Sequence, residues 1–141
     1  LPQTIRGRLE GLKAYHSYIR DDKAKESVEG LRPVLNTDQL SKLSDVVHPV
    51  VRTHEDTGAR SLFVNPGFTF AIKDMEPDDS ANLLKELFEH STKPELIYTH
   101  EWQPHDLLCW DNRSVMHQAT SYDTNYVRHM HRTTIEGGRP F

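Results

Sequence analysis

Residues 101–132 read EWQPHDLLCWDNRSVMHQATSYDTNYVRHMHR. Short apolar or β-branched runs alternate here with residues that bend the chain. With its flanks the stretch predicts four strands: ELIYTHEW (95–102), DLLCW (106–110), SVMHQA (114–119) and YVRHMHRTTI (126–135). Asp111-Asn112-Arg113 predicts the turn before the third of them, because short polar side chains bond nearby backbone amides. On that third strand His117 shares a face with Val115 and Ala119, since side chains two apart point the same way. Arg128 and Arg132 share a face of the last strand, roughly 13 Å apart at about 3.3 Å per residue. A guanidinium fork matches a carboxylate in a bidentate way that lysine cannot, so this wall offers places for two anions.

Upstream of this stretch the pattern gives a hairpin and a helix. PVVRTH (49–54) and RSLFVN (60–65) flank Glu55-Asp56-Thr57-Gly58, a hairpin signal. From Pro77 to His90 the spacing predicts a helix, with Pro77 at its first position and Asp78 and Asp79 at the positive end. Leu83, Leu84, Leu87 and Phe88 make an apolar stripe suited to packing on a sheet. Ile5, Leu9 and Leu12 mark a short amphipathic helix at the start. Residues 20–45 are charged and weakly periodic, punctuated by Gly30 and Pro33, and read as a mobile or partly helical loop, either a functional lid or a disordered segment. No internal repeat or low-complexity segment is seen.

The chain has 141 residues, which suits one domain. Hydrophobic content of 35% with 27% charged residues and 9% aromatics describes a folded chain with a small core. Seventeen Lys+Arg against 21 Asp+Glu give a formal charge of −4 without a dense basic cluster, which disfavours nucleic acid as partner. The single Cys109 forms no internal disulfide, and no apolar stretch nears the roughly 20 residues that span a bilayer. No secretory leader opens the chain, so the expected location is the cytoplasm, away from membranes. A homo-oligomer is compatible with these features.

Nine histidines invite metal readings. His16, His90 and His105 read as loop or helix-end residues, and His48 and His100 as structural. His129 and His131 share a strand face, as a chelating pair or a solvated surface. His54-Glu55-Asp56 has the His-x-Asp form which, with a distal His such as His117, writes a 2-His-1-carboxylate iron site. Asp56 also lies in the hairpin turn, where a short polar residue is favoured for turn reasons. Both readings stay open on spacing alone.

Several motifs in series carry a family resemblance. WQPxD (102–106), WDNRxxxH (110–117), an arginine eleven residues after that His, and MHRxT (130–134) resemble the taurine dioxygenase and 2,4-dichlorophenoxyacetate dioxygenase (TauD/TfdA) family. HPVVRTH-x(2)-TG-x(3)-LFVN (48–65) and LLKELFEH-x(3)-PE (83–95) match the same family in the same order. Its members are Fe(II)- and 2-oxoglutarate-dependent oxygenases. The resemblance implies a mostly β fold with flanking helices, a double-stranded β-helix or jelly roll, of which residues 1–141 are the C-terminal portion of a single oxygenase domain, with 20–45 as a candidate lid. By motif position, His117 resembles the distal iron ligand and Arg128 the arginine that holds the far carboxylate of 2-oxoglutarate. Arg132 resembles an arginine that holds the substrate's anionic group or the cosubstrate, and Phe68, in FVNxGF, an aromatic lining the substrate pocket. The family's His-x-Asp pair lies upstream of the region matched, and HED at 54–56 aligns with a turn that is not its metal site. The implied activity is hydroxylation of a small anionic organic substrate of the taurine or alkylsulfonate kind, consuming dioxygen and releasing succinate and CO2. Alternatives are an aryloxyalkanoate or alkyl sulfate ester dioxygenase of the same family, or a non-catalytic jelly-roll module that captures an anion.

Overall fold

A computed structural model describes residues 1–18, 38, 44–123 and 125–141. The candidate lid at 20–45 lies outside the described residues except at 38, 44 and 45. Helix α1 (Gln3–Arg8) follows Pro2 and ends at Leu9, whose amide bonds to the Arg6 carbonyl. Gly11, at φ +73°, then turns the chain into strand β1 (Lys13–His16), a left-handed conformation that glycine takes without Cβ strain.

Five short strands form two antiparallel arrays. β1 is central in a three-stranded sheet between β2 (Val46–Pro49) and β5 (Thr69–Ile72). Ala14 sits opposite His48 on one side and Ile72 on the other, and the β1–β5 register shifts between Tyr15 and His16. β3 (Val51–Thr53) pairs with β4 (Arg60–Leu62), Arg52 facing Ser61. The predicted hairpin is therefore present, with its first run divided. Val50 separates β2 from β3, fully buried, its amide bonded to the Leu12 carbonyl and its own carbonyl accepting from the Phe63 amide. It belongs to both arrays at once.

Helix α2 (Pro77–Ser91) forms where the apolar stripe predicted it, with Pro77 in its first turn and Asp78 and Asp79 at its positive end. Ser80 is buried, and its hydroxyl accepts the Ile72 amide at 2.7 Å, which pins the helix start to β5. Leu83, Leu84 and Leu87 join Leu9, Ala14, Val50, Val64 and Ile72 in one core, with Ile5, Leu12 and Phe88 packed at its margin. A single 3-10 turn at Pro94–Leu96 follows.

Beyond this turn the sequence expectation needs correction. The predicted strands at 95–102, 106–110, 114–119 and 126–135 do not form. A strand needs a neighbour for its amides and carbonyls. The backbone bonds here are local instead, as from Ser114 and Val115 to the Asp111 carbonyl and from Tyr126 to that of Asp123. Leu107, Val127 and Ile135 stand almost fully exposed, at 94%, 97% and 92%. Arg128 and Arg132 consequently do not share a strand face, and the 13 Å wall is absent. The described residues thus hold five short strands, two helices and a long irregular C-terminal stretch, without the jelly roll. No helix among them is long and apolar enough to cross a membrane.

Leu87 is fully buried at the contact between α2 and the sheet. Leu87→Ala is expected to cost about 2–5 kcal/mol in urea unfolding, through lost burial and an unfilled cavity. Asn82→Ala, on the exposed face of the same helix, should stay within about 0.5 kcal/mol.

Candidate functional site

The hairpin turn after β3 supplies the best-connected polar cluster. His54 is buried, with its amide bonded to the Ala59 carbonyl. Its Nδ1 accepts from the backbone amides of Asp56 (3.2 Å) and Thr57 (3.3 Å). The ring proton therefore sits on Nε2, which donates to Asp111 Oδ2 at 2.9 Å. Both ring nitrogens are occupied by the protein. The His54, Asp56 and His117 metal reading is thereby overturned: His54 has no lone pair to offer, and Asp56 binds Arg113 instead. No group of three or more His, Cys, Asp or Glu among the described residues is placed to hold a metal.

Arg113 completes the cluster. Its Nε and Nη2 donate to Asp111, with Nη2 to Oδ2 at 2.9 Å, while the Arg113 amide donates to Asp111 Oδ1 at 2.8 Å. Nη1 reaches across to Glu55 Oε2 (3.0 Å) and Asp56 Oδ2 (2.7 Å). Glu55 Oε1 accepts from Nη2 of buried Arg52 at 2.8 Å. Two guanidinium groups thus link three carboxylates, tying the hairpin turn to the 110–113 loop. The Arg113 side chain, followed by His54, holds the Asp111 carboxyl well below the ordinary carboxylate range. Arg113, then Arg52, lowers Glu55, and Asp111 in turn raises the Arg113 guanidinium.

This clamped loop leads to His117. Trp110 donates from Nε1 to Asn112 Oδ1 at 2.9 Å, and its ring lies 4.9 Å from that of His117. Partial desolvation, then the charge of Arg132, lowers the His117 pKa below the ordinary histidine value. The imidazole is therefore neutral at pH 7, the form that binds metal. The charge of Arg132 is felt at the His117 ring. Arg128 lies elsewhere, its guanidinium carbon 5.4 Å from the centre of the Tyr122 ring. Phe68 stacks on Tyr18 at 5.9 Å, and its carbonyl accepts the Ser17 amide.

The bonds that join Asp111 and Arg113 to the hairpin escape a reading that treats DNR only as turn chemistry. A signal was available in the charges, since Arg-x-x-Glu-Asp at 52–56 complements Asp-x-Arg at 111–113. His129 and His131 touch through their rings at 4.8 Å, and His100 is held by Asp106 at 3.0 Å and covered edge-on by Trp102.

Residues 1–134 match the family described as taurine catabolism dioxygenase TauD, TfdA family. The chain belongs to this family. It is 32% identical over 139 residues to an alpha-ketoglutarate-dependent 2,4-dichlorophenoxyacetate dioxygenase of Burkholderia sp. (strain RASC), covering 99% of this chain and 45% of that protein. It is 33% identical over 142 residues to a protein of Schizosaccharomyces pombe (strain 972) described as an alpha-ketoglutarate-dependent sulfonate dioxygenase of putative status, covering all of this chain and 34% of the relative. The crystal structure of AAD-2 in complex with Mn(II) and N-oxalylglycine superposes with a TM-score of 0.72 at 29% identity, over 92% of this chain and 49% of that one. The TauD, TfdA chain described here thus spans less than half the length of these relatives.

The carboxylate cluster sets a pH dependence. Asp111 has a folded-state pKa well below its unfolded value, so its stabilisation is present above the ordinary carboxylate pKa and is lost as pH falls from there toward the lowered folded-state value. Asp111→Asn is expected to lower the unfolding midpoint at pH 7 and to flatten the loss of stability as pH falls below about 4. Thermal melts of parent and variant across that range measure both effects.

Proposed function

We propose that this chain is the C-terminal portion of a jelly-roll dioxygenase that uses Fe(II) and 2-oxoglutarate to hydroxylate a small anionic organic substrate, releasing succinate and CO2. The observation that carries this reading is His117, a neutral imidazole against Trp110 on a loop that Arg113 clamps to the hairpin. Membership of the TauD, TfdA family and the naming of relatives as alpha-ketoglutarate-dependent dioxygenases support it. The Mn(II) and N-oxalylglycine of the AAD-2 complex support the cofactor assignment, since N-oxalylglycine is an isostere of 2-oxoglutarate.

The described residues do not make an iron centre by themselves. His117 supplies one imidazole, and one imidazole does not hold Fe(II) with a defined open position. What these residues contribute is presentation and binding. Trp110 and the 110–113 loop restrict where the His117 ring can point, which lowers the entropy lost when it takes up a ligand's role. Arg128, now over the Tyr122 ring, would hold the far carboxylate of the cosubstrate through its guanidinium fork. The charge of Arg132 lowers the His117 pKa, and Arg132 would hold the anionic end of the substrate. Phe68, stacked on Tyr18, would give the substrate pocket an apolar side. The substrate expected first is a taurine-like or other alkylsulfonate; aryloxyalkanoates and alkyl sulfate esters carry the same anion-plus-apolar pattern.

The test is succinate release by the native protein supplied with Fe(II), 2-oxoglutarate and dioxygen, across sulfonates, aryloxy acids and alkyl sulfates. Release stoichiometric with loss of one substrate class is expected. Anion binding without succinate would instead identify a non-catalytic capture module. Arg128→Lys should raise the KM for 2-oxoglutarate roughly 10- to 100-fold, because a point charge replaces a bidentate fork.

A further inference from the structure

Away from the clamped loop, the ring of Phe63 gathers three polar side chains. His16 lies 5.9 Å from it, His48 lies 5.7 Å away edge-on, and the Arg52 guanidinium carbon lies 5.4 Å from its centre. His16 and His48 also meet each other at 5.3 Å in a T-shaped contact. Among the described residues three buried side-chain polar atoms lack a partner, and they are His16 Nε2, His48 Nδ1 and Arg52 Nε. All three belong to this one cluster. Buried polar atoms are nearly always paired, and each exception calls for an explanation such as an ion.

The character of these atoms identifies what they would take. Thr69 Oγ1 accepts the Asn65 amide at 2.8 Å and lies 3.1 Å from His16 Nδ1. In the tautomer in which the Thr69 hydroxyl donates to that nitrogen, the His16 ring proton sits on Nε2 as an unspent donor, and this is the form an anion would select. Arg52 Nε is a donor without alternative, and Arg52 is 5% exposed. The field around the histidines is positive, since both Arg139 and Arg52 act on His48. Glu55 answers the other end of the Arg52 guanidinium through Nη2 and leaves Nε unused. A metal cation is disfavoured beside two arginines. Two unspent N–H donors in a positive field against an aromatic wall suit an acceptor with negative charge and little bulk.

We propose that His16, His48 and Arg52 form a binding site for a small carboxylate, separate from Arg128 and Arg132. It does not rest on the iron chemistry. It joins the centre of the three-stranded sheet to the start of the hairpin, and the carboxylate would accept from Arg52 Nε and His16 Nε2, and from His48 in the tautomer that carries its proton on Nδ1.

Formate is the probe, with sodium chloride at equal ionic strength as control, and the imidazole 1H and 15N resonances of His16 and His48 are the readout. Saturable shifts at both rings with formate alone are expected, equally in Arg128→Ala, where the expected cosubstrate site is lost. Burial and His48 hold the His16 pKa at about 4. A bound anion should raise it, so formate affinity should tighten as pH falls, tenfold for each unit by which binding raises that pKa. Arg52→Met should weaken formate binding at least tenfold. Because that variant also releases Glu55, His16→Asn gives a second measure: it keeps a group near Thr69, removes the Nε2 donor, and leaves His48 as reporter. Absence of saturation in the parent, an equal shift with chloride, or unchanged formate affinity in both variants would overturn the site.

Discussion

Arg113 bridges two pieces of chain more than fifty residues apart, and the rest of the candidate site hangs on that bridge. Its guanidinium has five N–H donors in a rigid plane, and here they reach Asp111 in its own loop and Glu55 and Asp56 in the hairpin turn. A lysine would supply the charge without the geometry. The bridge sits at the surface, so its worth lies less in the attraction of any one pair than in the shared geometry of several. His54 completes it from below, because its orientation is fixed twice, by backbone amides at Nδ1 and by Asp111 at Nε2. The loop that carries Trp110, and through it His117, inherits its position from these contacts.

What could be read in the sequence follows from how local each element's cause is. The hairpin at 48–65 and the helix at 77–90 were legible because turn residues and an apolar stripe specify them within a few residues. Strands β1 and β5 were not, since KAYH and TFAI are four residues each and become strands only through pairing with each other and with β2. The C-terminal strands show the opposite failure. LIY, LLCW and SVM have strand-forming residues, yet propensity does not make a strand without a neighbour to bond.

The candidate site divides along the same line. Motif spacing singled out His117, Arg128, Arg132 and Phe68, and the geometry gives His117, Arg128 and Phe68 aromatic partners in Trp110, Tyr122 and Tyr18. The link from Asp111 and Arg113 to the hairpin was hidden because ion pairs across 57 residues leave no periodic trace, only complementary charge. His54 was ambiguous for a related reason. His-x-Asp spacing is shared by metal sites and by turns, and only the direction of the ring nitrogens separates them.

Val50 ties the two strand arrays through its own backbone, donating to Leu12 and accepting from Phe63. The position of β3 relative to the three-stranded sheet is therefore set through this one residue. One residue inserted at this point would reverse which side of β3 each side chain faces. Arg52 would then leave Phe63, and the acidic turn would present its charges away from the loop it grips. The spacing between His48 and His54 is thus under a parity constraint, which tolerates exchange of side chains far better than a change in their number.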